Sequence, residues 1–142
     1  MAYITQADIE SRYPGELAQA GPRDASGNLD PAAIALACAE ASAKADGYLR
    51  VSPAGFTVPL PPPAPDWLAD IVVDIALYQA TPTAIASQDD FKDRRKRYED
   101  ALAALEGIAG GKFLPQAPPV NPAGVAVLYM AYKPRVFGRG VL

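Results

Sequence analysis

Side-chain chemistry near neutral pH most often begins with histidine, and this sequence of 142 residues has none. That removes the usual general base, the Ser–His and Cys–His nucleophile pairs and the commonest zinc ligand. Four groups of chemically capable residues remain. Asp66, Asp70 and Asp74 recur every four residues, so a helix would stack their carboxylates in one stripe. Asp24, Ser26, Asn28 and Asp30 alternate as the ligands of a calcium loop do, but the sixth and twelfth positions are Leu29 and Ala35. An EF-hand requires Gly and a bidentate Glu there, so this stretch is read as turn chemistry. Lys92, Arg94, Arg95, Lys96 and Arg97 form a basic run, flanked by Asp89, Asp90, Asp93, Glu99 and Asp100. Cys38, the lone cysteine, cannot close an intrachain disulfide and falls on an apolar stripe, where a thiol behaves as a small hydrophobe. No nucleophile, metal set or phosphate-binding glycine loop accompanies the carboxylates. The expectation is a protein that is not an enzyme, with no catalytic residue, metal or cofactor.

Helices must position these groups. Thr5 with Asp8 three residues on makes a capping-box start, with Ile4 and Ile9 as a hydrophobic staple and Pro14-Gly15 as the stop. Asp30-Pro31 opens a second helix over about 31–50, with Ile34, Cys38, Ala41, Ala45 and Leu49 on one stripe. Gly47 inside it suggests a tight crossing or an early fraying. The prolines from Pro53 to Pro65 make the next stretch a stiff extended spacer. A third helix, about 65–80, places Trp67, Leu68, Ile71, Val72, Ile75 and Tyr78 on its apolar face. The fourth opens with Ser87 and Asp90 in capping-box spacing and runs to about Ile108, with Phe91, Tyr98 and Leu105 every seven residues and Leu102 in the seam. Trp67, Ile71, Tyr98 and Leu102 are expected to anchor the core. A hairpin of the last two helices would carry the acidic stripe toward the basic run, and the expected inter-helix salt bridge is Asp74 with Arg97.

Charge is distributed unevenly. All 16 acids lie at or before Glu106, whereas the stretch from Gly110 onward has no acid and four bases, Lys112, Lys133, Arg135 and Arg139. An acidic body with a basic tail points to partner binding. Residues 125–132 form an uncharged, β-prone run that needs a surface to pair with. The last ten residues alternate basic and apolar side chains and contain too little to fold alone. The expected organisation is a helical core domain over 1–111 and an extended C-terminal arm over 112–142. Lys133, Arg135, Phe137, Arg139 and Leu142 are the expected partner-binding residues. The fold class expected is all-α, a small bundle of about four helices with proline-rich connections and an extended C-terminal strand or arm. No apolar run reaches the roughly 20 residues of a membrane-spanning helix, and the N-terminus lacks the pattern of a secretory signal. A cytoplasmic origin is expected.

Several segments, in order along nearly the whole chain, resemble the Mu-type phage head–tail joining protein family. They are Tyr3-Ile4-Thr5-Gln6-Ala7-Asp8-Ile9-Glu10, Asp46-Gly47-Tyr48-Leu49, Val58-Pro59-Leu60 and Pro65-Asp66-Trp67-Leu68. Asp74-Ile75-Ala76-Leu77-Tyr78, Arg97-Tyr98-Glu99-Asp100-Ala101-Leu102, Ile108-Ala109-Gly110-Gly111-Lys112 and the ending Arg135-Val136-Phe137-Gly138-Arg139 follow. The chain departs from the family in its proline insert at 61–65 and its apolar run at 125–132. The resemblance implies a virion structural protein made in the host bacterial cytoplasm, a head-to-tail connector (adaptor) in the neck. It implies a homo-oligomeric ring beneath the portal, a dodecamer matching it, that bears the next tail-side neck protein and passes DNA as cargo through its channel. An acidic channel wall would let that DNA slide, because contacts that neutralise phosphates create affinity. The alternatives are a stopper or tail-terminator ring, classes that are usually β-rich, and a nucleic-acid-binding module built on Lys92 to Arg97, which a pI near 4.8 disfavours.

Overall fold

The structure, a computed structural model, describes residues 2–82 and 88–112. The first helix, α1 (Gln6–Arg12), begins as its capping residues dictate. The Thr5 backbone N–H donates to Asp8 Oδ2 at 2.7 Å, and Ile4 and Ile9 are both buried beside the cap. Beyond Pro14, Gly15 takes a φ of +81°, a left-handed turn open to glycine, and starts a second short helix, α2 (Glu16–Ala20). This helix is absent from the sequence reading, which placed a stop at Pro14-Gly15. Five residues show too little periodicity to register, and only packing supports so short a helix. The following turn uses Asp24 locally: its Oδ1 accepts from the backbone N–H groups of Ser26 and Asn28.

Three longer helices make the body. In α3 (Pro31–Val51) the Asp30 carboxylate caps the first turn, accepting from the N–H groups of Ala32 and Ala33 at 3.0 and 3.2 Å. The stripe Ile34, Cys38, Ala41, Ala45 and Leu49 is buried as expected. Gly47 supports neither expectation made of it: it is exposed, a Cβ there would meet nothing, and the helix continues past it to Val51. The prolines then carry an irregular segment across the surface to α4 (Asp66–Ala80). Leu60 pins that segment, its side chain buried and its N–H donating to the Tyr3 hydroxyl at 2.9 Å. After a 3₁₀ turn (Asp89–Phe91), α5 (Lys92–Ala109) runs to Gly110. The expected cap Ser87 lies outside the described residues, as does the whole arm from residue 113 on.

Helices α3, α4 and α5 pack pairwise against one another, and α1 rests on α3 and α4. The fold is mostly helical, an all-α bundle. Because α4 is covered by neighbours on both sides, it is buried around most of its circumference, through Leu68, Val72, Val73, Ile75, Ala76 and Leu77. That corrects the expected anchors. Trp67, Ile71, Tyr98 and Leu102 pack against the core from partly buried positions, while Val72, Ile75, Leu105 and Ile108 occupy its centre. The outer aromatics still make specific contacts. Tyr78 and Tyr98 stack at 4.2 Å between centroids, and Trp67 tilts against Phe56 at 6.1 Å.

Candidate functional site

A group of charged residues is drawn together where α2, the end of α4 and the start of α5 meet. Its centre is Glu16, on the helix that the sequence reading missed. Arg94 is buried at 3% exposure, with its Nη2 3.0 Å from Glu16 Oε2, its Nε donating to the same carboxylate oxygen and its Nη2 also reaching the Glu16 carbonyl. Its Nη1 donates to the Thr81 hydroxyl, which itself donates to the Leu77 carbonyl and so ends α4. Arg97 takes the other side of the carboxylate, with Nη2 at 3.0 and 2.9 Å from its two oxygens. One carboxylate therefore holds two guanidinium groups, each of which also sits over a ring: Arg94 over Phe91 at 5.2 Å and Arg97 over Tyr13 at 4.1 Å.

The expected Asp74–Arg97 salt bridge is replaced by this arrangement. Asp74 Oδ1 accepts from the Tyr13 hydroxyl at 2.6 Å, and Arg97 lies over the ring of that tyrosine while bonding Glu16. Tyr13 stands between the two expected partners and engages both. The acidic stripe is thus answered by the N-terminal segment, since Arg12 Nε meets Asp70 at 2.6 Å. That pair is partly exposed and contributes roughly 0–1 kcal/mol. The lysines of the basic run have local partners: Lys92 pairs with Asp89 at 3.2 Å and Lys96 with Asp100 at 3.1 Å. A cleft of about 300 Å³ beside the cluster is lined by Glu16, Gln19, Phe91, Asp93, Arg94 and Arg97, with both signs of charge on its walls.

Burial and neighbours set the titration of these groups. Burial lowers the pKa of Arg94, opposed by the adjacent Glu16 charge. Burial acts the same way on Arg97, but the bonds and charge of Glu16 outweigh it and its pKa rises. Asp74 is raised by burial, against the lowering effects of the Tyr13 hydrogen bond and of Arg97. Burial and the bond to Asp74 push the Tyr13 phenol up to about 12, and burial with the bond to Asp46 does the same for Tyr3. Both phenols ordinarily titrate near 10, so the folded chain retains protons that the unfolded chain releases. The stabilisation is complete below pH 10 and is lost as the pH climbs through about 12. Melting temperatures measured from pH 8 upward should therefore fall steeply above about pH 10, and the double variant Tyr3→Phe/Tyr13→Phe should flatten that fall.

Lys133, Arg135, Phe137, Arg139 and Leu142 lie outside the described residues. Among the described residues no group of three or more Cys, Asp or Glu is arranged to hold a metal ion, and no helix is long and apolar enough to cross a membrane. Sequence reasoning missed Glu16 because a single acid just after Pro-Gly carries no periodic signal. The hint available was the surplus of cations in the first two turns of α5, more than a solvated face requires.

Fold and cluster together define a small all-α bundle protein braced by an internal ion-pair network. The family model described as Bacteriophage Mu, Gp36 matches residues 3–124, and the chain belongs to that family. It is a Mu-like phage protein. No curated protein sequence matches it.

Proposed function

We propose that this chain is a structural protein of the virion, a head-to-tail connector (adaptor) subunit that forms a ring beneath the portal and carries the next tail-side ring. The observation that carries the reading is the match to a Mu phage family over residues 3–124, a span that includes all the helices of the described bundle. A second observation supports it. Lys92, Arg94, Lys96 and Arg97 of α5 are engaged by Glu16, Asp89 and Asp100, whereas the stretch after Gly110 carries four bases and no acid of its own to pair them. In this reading Lys133, Arg135, Phe137, Arg139 and Leu142 contact the portal or the neighbouring subunit. The same pairing weighs against a nucleic-acid-binding module, since Arg94 and Arg97 neutralise the Glu16 carboxylate of their own chain instead of phosphates.

The test is the particle mass of the purified protein alone and after mixing with the portal of its own phage. A monomer or small oligomer is expected alone, becoming a ring of defined copy number, twelve if it matches the portal, on the portal. A chain that never joins portals would overturn the connector reading. Deleting residues 133–142 should leave the helical circular dichroism unchanged and abolish capture; normal capture by the truncated chain would overturn the role given to those residues.

A further inference from the structure

Helix α3 is apolar on two sides, and the bundle covers only one of them. Opposite the buried stripe, Ala35, Leu36, Ala39, Ala43, Gly47 and Val51 are all exposed. At 100° per residue they fall within one half of the helix circumference. Leu36 and Val51, at 60% and 68% exposure, are the exposed large hydrophobics of the described chain, and both belong to this face. Glu40 and Arg50 are the exposed charges on it. A surface helix is normally polar on its outer side, and one that is apolar nearly all round is normally covered.

The chain itself indicates the cover. At the end of α5, Gly111 turns with a φ of +73° directly against Pro53, where an added Cβ would come within 2.7 Å of Pro53 Cγ. Ser52 Oγ fastens the same junction by donating to the Ile108 carbonyl at 2.9 Å. The arm therefore departs beside Ser52 and Pro53, next to Val51 and so at one end of the uncovered face. Twelve residues, 113–124, then lead to the uncharged run 125–132. With four prolines that connection can span roughly 35 Å, and the face from Leu36 to Val51 is only about 22 Å long at 1.5 Å per residue. Eight extended residues cover about 26 Å. We infer that residues 125–132 dock along the outer face of α3 of their own chain. A tether this short sets an effective concentration in the millimolar range, far above that of a second copy in dilute solution. The arm is thereby divided into an uncharged anchor and a basic decad left free for a partner. This inference goes beyond the connector reading and does not rest on it, since the deletion of 133–142 leaves the anchor in place.

A cysteine introduced at Ala43, at the middle of the face, tests it in the full-length chain. Cys38 stays as an internal clock for global opening, because it is buried and burial raises its thiol pKa. Labelling of Ala43→Cys by a small maleimide should be at least about tenfold slower than in the same chain carrying Leu128→Asp and Tyr129→Asp, the factor expected when roughly one apolar side chain's burial is lost. Cys38 should label equally slowly in both, which verifies that both bundles are folded. Equal rates at Ala43→Cys in the two chains, fast or slow, would overturn the proposal. Protection that strengthens with protein concentration would overturn docking within one chain and assign the face to a second copy.

Discussion

Replacing Glu16 with alanine is expected to destabilise the fold by about 3 kcal/mol, within the range for removing one partner of a buried ion pair. The loss comes from what remains. Arg94 would stay at 3% exposure with its charge and no counter-ion, and Arg97 would lose both of its carboxylate contacts. Solvent reaches part of the Glu16 side chain, at 26% exposure, so the effect belongs at the lower end of the range. Urea denaturation of Glu16→Ala, of Arg94→Met and of the double variant separates this from mere loss of a contact. If the penalty is an orphaned buried cation, the double variant should recover most of the stability, because a methionine of similar length needs no counter-charge. Penalties that simply add would show instead that Glu16 acts through packing alone. Glu16→Gln should fall between wild type and alanine, keeping an acceptor for the guanidinium groups but not the charge. Because α2 touches α5 through this cluster, the same experiment measures what holds the N-terminal segment to the bundle.

The second large effect lies in the apolar centre. Leu105→Ala should cost about 3–4 kcal/mol and Leu102→Ala about 1 kcal/mol, although both leucines occupy the same helix. Leu105 has no exposed surface and belongs to the core that α5 shares with α3 and α4, so its deletion leaves a cavity that the surrounding helices cannot close. Leu102 is partly buried at the rim, where water fills the space that truncation opens. Thermal or urea melts of the two variants under identical conditions decide the matter, and equal losses would show that the two positions are equally central. Ile75 and Ile71 on α4 form a parallel pair, the first without exposed surface and the second at the rim.

The starts of α1 and α3, the stop of α5 and the apolar stripe of α3 were legible in the residues alone. Thr5 with Asp8, Asp30 with Pro31 and Gly110-Gly111 each act on backbone groups within a few positions of themselves, so no tertiary partner is needed to read them. The stripe from Ile34 to Leu49 was legible for the same reason, since a period of 3.6 residues is a property of one helix. The all-α class and the uneven charge followed from such local facts.

Tertiary structure decided which partner each charge found and which apolar residues became the centre. Asp70 and Asp74 bond Arg12 and Tyr13 instead of α5, and Arg94 and Arg97 close on an acid some eighty positions earlier in the chain. Pairing at that separation depends on how α1 and α2 fold back over α4, and no spacing rule within one helix encodes it. Likewise, a periodic pattern shows that a helix has an apolar side but not how many neighbours will cover it. With neighbours on both sides, α4 is buried through Val72 and Ile75 while Trp67 and Ile71 move to the edge. Local hydrogen bonding and periodicity act through the sequence itself; burial and ion pairing depend on distances that exist only once the helices have packed.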